Sequence, residues 1–96
     1  MTPEIYQVIV DFLRTCCNAP VINYTEDGPH DAGQFQIPQR KGPSPLVKFS
    51  SVFLEDNSPE EISEKLVAWK LCEVMNRSSH MTVFVTSDGI KVVERN

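Results

Sequence analysis

The sequence predicts an α+β fold, with two helices packed on one face of a small antiparallel sheet. Three features carry that expectation. Residues 3–17 repeat apolar side chains at helical spacing behind Thr2-Pro3, Ser58-Pro59-Glu60-Glu61 opens a second helix, and Asp88-Gly89 separates two runs of alternating apolar and polar residues. The expected order is α-β-(β)-β-α-β-β, ending on the Asp-Gly hairpin, in a single domain over residues 1–96.

In the first helix Thr2 supplies an N-cap and Pro3 a pre-set first position. Ile5, Val8, Ile9, Phe12, Leu13 and Cys16 share one side, Gln7, Asp11, Arg14 and Thr15 lie opposite, and Asn18 with Pro20 ends the helix. Residues 20–25 read as a short strand on the propensity of Val21, Ile22 and Tyr24. Residues 26–45 form an irregular segment holding three of the four glycines and four of the seven prolines. Within it, residues 34–37 alternate polar and apolar, as a short edge strand would. A connection of this length is uncommon in a compact domain and is a secondary place to look for a site, around Phe35, Arg40 and Lys41.

Residues 46–54 read as a strand with Val47, Phe49 and Phe53 on one face and Lys48, Ser50 and Val52 on the other. Ser58 and Glu61 have the spacing of a capping box, and Pro59 suits the first turn, so the second helix is read over residues 58–77. At 100° per residue this helix carries two apolar sides. Val67, Ala68, Leu71, Cys72, Val74 and Met75 form one; Ile62, Leu66 and Trp69 form the other, beside Lys65, Lys70 and Glu73. A surface helix needs one apolar stripe, so the second meets another element or a partner. Residues 81–87 and 90–95 complete the chain as a hairpin around an Asp88-Gly89 turn, with Val85 opposite Val92 and Phe84 opposite Val93.

With 41% hydrophobic and 23% charged residues, the composition is that of a globular chain. The formal net charge of −4 argues mildly against non-specific nucleic-acid binding. Glu55, Asp56, Glu60, Glu61 and Glu64 cluster without an intervening Lys or Arg. Such a run is a solvated helix start or a patch that offers negative charge to a basic partner. Cys16, Cys17 and Cys72 are an odd set with an adjacent pair, a poor disulfide framework, so reduced thiols and a cytoplasmic setting are expected. No signal peptide is visible, and no apolar run reaches the roughly 18 residues of a membrane helix.

Chemistry-bearing motifs are sparse. His30, His80 and the cysteines lack zinc spacing, no Gly-x-Ser-x-Gly elbow occurs among the serines, and no phosphate-binding glycine loop is present. The sequence therefore points to a non-catalytic protein without a cofactor or metal, acting by binding. Its anchors would be Ile62, Leu66 and Trp69, an aromatic-centred stripe with a charged rim. The acidic run would add to this surface, in an inhibitor, an adaptor or a homodimer. The alternative is nucleic-acid binding through the outer hairpin face, where Phe84, Lys91 and Arg95 lie and Lys48 can join them.

Overall fold

The computed structural model describes residues 2–19, 21–38, 44–78 and 80–94. Helix α1 (Pro3–Cys17) leads into strand β1 (Asn23–Asp27), a 3-10 turn (Gly28–His30) and strand β2 (Ala32–Gln36). Strand β3 (Leu46–Ser50) is followed by helices α2 (Ser51–Asp56), α3 (Pro59–Ala68) and α4 (Leu71–Arg77), then by the hairpin β4 (Met81–Thr86) and β5 (Gly89–Glu94). Among the described residues this is a small α+β protein of four α-helices and one five-stranded sheet in the order β1-β2-β3-β4-β5.

Helix α1 forms as its residues dictate. The Thr2 hydroxyl accepts from the Ile5 amide at 3.3 Å, Pro3 occupies the first turn, and Asn18 closes the helix in the left-handed region at φ 49°. The start of α3 is likewise a full capping box. The Glu61 amide donates to the Ser58 hydroxyl at 3.2 Å and the Ser58 amide donates to the Glu61 carboxylate at 2.9 Å. The Ser58 backbone N–H, with its hydroxyl, holds the Glu61 carboxyl below its ordinary pKa.

The helix expected over residues 58–77 is broken, and the break changes what its two apolar sides mean. Trp69 leaves helical geometry at φ −85°, ψ 0°, and Lys70 takes φ 56°, ψ 45°, so α4 starts in a new phase. Ile62 and Leu66 turn inward from α3, and Leu71 and Met75 turn inward from α4. In an unbroken helix these two pairs would lie on opposite sides. The break lets both reach one core.

Three further expectations are corrected. The strand over residues 46–54 stops at Ser50, whose hydroxyl accepts from the Phe53 amide at 3.1 Å and caps α2. Phe53 therefore reaches the core from a helix, and Val52 is 55% exposed. The sheet is mixed, because β3 and β4 are parallel: the three helices between them return the chain to the same end of the sheet. Residues 34–37 do not mark an edge either, since β2 pairs with β1 on one side and β3 on the other. The 26–45 segment holds the end of β1, the 3-10 turn and β2, while residues 39–43 lie outside the described residues.

The final hairpin turns on Ser87-Asp88, with Thr86 opposite Gly89. The Thr86 hydroxyl accepts from the Asp88 amide at 3.3 Å and donates to the Gly89 carbonyl at 3.1 Å, which fixes the turn one residue earlier than Asp-Gly alone suggests. Gly89 supplies the positive backbone angle, φ 124°, that a side chain would resist. Val85 consequently pairs with Ile90 and Phe84 with Lys91. Register moves by two residues, so every side chain keeps its expected face.

Strand alternation places Phe35, Val47, Phe49, Val83 and Val85 on the inner face, where they meet Ile5, Ile9 and Leu13 of α1 and the inward residues of α2, α3 and α4 in one cluster. An aromatic series runs through it, Tyr6, Tyr24, Phe35, Phe49, Phe53 and Trp69, with successive ring centroids 5.0–6.2 Å apart. The helices' buried side chains all join this inner cluster, so no described helix lies over the outer face of the sheet, although Thr82 and Ala32 on that face are buried by their neighbours.

Candidate binding surface

Two of the three residues expected to anchor a partner are core. Ile62 and Leu66 are 0% exposed, and the half-buried Trp69 ring packs on Phe53 at 5.8 Å. A side chain with no surface in the folded chain has none to offer another molecule, so Ile62 and Leu66 cannot serve as anchors, whereas Trp69 keeps part of its surface. The outward part of α3 is its other side, where Val67 is 65% exposed. Phe35 is likewise completely buried, between Tyr24 and Phe49, and is no loop contact. Arg40, Lys41 and Arg95 lie outside the described residues.

The acidic run is exposed throughout. Glu55 and Asp56 end α2, and Glu60, Glu61 and Glu64 lie on the first turns of α3. Glu4, Asp11 and Glu73 are exposed on α1 and α4, so the helical layer is the acidic side of the molecule.

The outer sheet face has a different character. Cross-strand register lines up Thr25, Gln34, Lys48, Phe84 and Lys91 in one row, and Asn23, Gln36, Leu46, Thr82 and Val93 in the next. Neither row holds a carboxylate. Phe84 is half-buried between Lys48 and Lys91, with Lys91 exposed and Val93 48% exposed. An aromatic ring flanked by cations, with amides and a hydroxyl continuing the row, can stack on a planar group while pairing with an anion. The sequence placed Phe84 and Lys91 together on the hairpin. It gave no register linking Lys48 to them, nor any sign that Thr25, Gln34 and Leu46 extend the same surface, because those pairings join distant segments.

Cysteine geometry departs from expectation. Cys16 and Cys72 form a disulfide that ties the end of α1 to α4, with Cα atoms 5.4 Å apart. Cys17 is the free thiol, half-buried, and burial pushes its pKa up. A thiol held protonated is a poor nucleophile.

The recess between β1, β2 and Ser51, lined by Tyr24, Glu26 and Asp31, has a volume of about 180 Å³, below the roughly 300 Å³ at which small-molecule pockets begin. A wider groove of about 420 Å³ between Thr2, Ile5, Leu54 and Asn57, and another of about 330 Å³ between Thr2, Tyr6 and Tyr24, lie within that size range. Asn57 in the first is satisfied, donating to the Phe53 carbonyl at 2.7 Å and accepting from Lys65. Among the described residues, no three His, Cys, Asp or Glu side chains gather to hold a metal ion, and no helix is long and apolar enough to cross a membrane. No family model matches this chain, and neither a curated protein nor a solved structure matches it.

Proposed function

We propose that this chain is a non-catalytic binding module that takes single-stranded nucleic acid on the open face of its sheet. The carrying observation is the row in which the partly exposed Phe84 stands beside the exposed Lys91, with Lys48 on its other side, on a sheet face that no described helix covers and whose central rows hold no acid. Sequence-tolerant single-strand binders combine these two elements, an aromatic platform for a base and positive charge for the backbone. The helical layer is net acidic, its eight carboxylates outnumbering Arg14, Lys65, Lys70 and Arg77, which disfavours an anionic ligand there. A cytoplasmic setting fits this reading only with Cys16 and Cys72 as thiols, because a persistent disulfide belongs to oxidising compartments.

Fluorescence anisotropy with labelled oligo-dT and oligo-U at low salt tests the reading. Phe84→Ala is expected to weaken binding about 5- to 150-fold, the equivalent of the ~1–3 kcal/mol of one stacked base. Lys91→Glu should weaken it further and flatten the salt dependence by about 0.7 in the log–log slope, one phosphate contact. Absence of binding at low salt, or binding indifferent to both changes, removes this function.

A second reading, capture of a basic protein surface, is favoured by the uninterrupted exposure of Glu55, Asp56, Glu60, Glu61 and Glu64. Affinity capture from the native host should recover a basic partner that Glu60→Lys with Glu64→Lys loses. Recovery unchanged by that charge reversal counts against it.

A further inference from the structure

We infer that the β5 edge is a self-association surface, on which a second copy of this chain adds its own β5 in antiparallel register to make one continuous sheet. The inference is independent of what the sheet face binds.

Strand β5 ends the sheet, and a two-residue turn joins it to β4 with Thr86 opposite Gly89. The residues flanking such a turn are a hydrogen-bonded pair, and bonded pairs then alternate. The backbone groups of Gly89, Lys91 and Val93 therefore face β4, and those of Ile90, Val92 and Glu94 point away from the sheet. The same strand exposes two valines, Val92 at 41% and Val93 at 48%. Val92 lies on the inner side of the sheet, opposite Val83, yet the helical layer does not cover it.

The opposite edge is unlike this. Strand β1 exposes Asn23, Thr25 and Glu26, polar side chains that discourage strand addition. Strand β5 has one charged residue in its middle, Lys91, whose side chain stands on the outer face rather than along the edge.

One register suits a second copy. With the two-fold axis at Val92, that residue meets the partner's Val92, Ile90 meets the partner's Glu94, and Lys91 meets the partner's Val93. The outward N–H and C=O groups of Ile90, Val92 and Glu94 then exchange hydrogen bonds with their equivalents, and no like charges are opposed. Sliding two residues one way places Lys91 against the partner's Lys91, and sliding the other way shortens the paired run. In the favoured register the two outer faces join edge to edge, so the row through Phe84 and Lys91 continues into the partner's Val93 and Thr82.

Size-exclusion chromatography with light scattering, at micromolar and millimolar protein, tests this. The wild-type chain is expected to approach twice its 10.9 kDa mass as concentration rises. Val92→Pro removes an N–H that points away from β4, and Val92→Lys sets two cations face to face on the axis; both should hold the mass at one chain. Val92→Lys alters an exposed side chain, so it keeps the test valid if the proline variant fails to fold. Amide exchange at Val92 should slow with concentration in the wild type. A wild type monomeric at millimolar concentration, or a dimer that persists in Val92→Lys, overturns the inference.

Discussion

Replacing Leu66 with alanine is expected to cost about 3–4 kcal/mol of folding stability, in the middle of the range for a fully buried leucine. Leu66 is 0% exposed in the core, on helix α3, which packs against α1. A domain of this size has roughly 5–14 kcal/mol in total, so the variant should unfold at much lower urea with an unchanged slope. Val67→Ala, one residue along at a 65% exposed position, is the control and should stay within about 0.5 kcal/mol of wild type. An interface leucine would show the reverse pattern, intact stability and weakened association. Equal urea midpoints for Leu66→Ala and the wild type would contradict the inward placement of this stripe.

Reduction of the Cys16–Cys72 bond is expected to have the next largest effect. The bond closes a loop across a sequence separation of 56 residues, and the chain-entropy relation assigns such a loop about 4 kcal/mol of unfolded-state restriction. Urea titration with and without a phosphine reductant should show a loss on that order, and Cys72→Ser should reproduce it without reductant. Cys17→Ser should do neither, since that thiol takes no part in the bond. Thiol titration of unfolded, unreduced protein should count one free thiol, and three after reduction. Three before reduction would show that the pair is held reduced where the protein is made, and would favour the cytoplasmic setting.

What could be read from the residues was local. Thr2-Pro3, the Ser58–Glu61 box and the faces of the hairpin depend on contacts within a few positions, and the structure keeps all of them. What could not be read depends on neighbours far along the chain. Nothing near Lys70 announces a left-handed residue: it is neither Gly nor Asn, and tertiary burial of Leu66 and Leu71 from two helical segments imposes it. That one position converted an apparent surplus apolar stripe into core. The Cys16–Cys72 bond was hidden by the same distance, because counting cysteines ignores where two helix ends meet. The candidate surface was half visible. Phe84 and Lys91 share a hairpin face by alternation alone, whereas Lys48 joins them through a parallel pairing that sequence periodicity does not encode.

The parallel union of β3 with β4 also constrains how the molecule is made. Leu46 and Thr82 are neighbours in space but separated by three helices in the chain. During synthesis from the amino end, Val47 and Phe49 emerge long before the strand that flanks them on that side. Until it arrives, the growing polypeptide carries a bare, sticky strand border, the kind of surface that nascent-chain chaperones shield. Shortened products that stop before Met81 would keep that border permanently, and insoluble deposits are their natural fate.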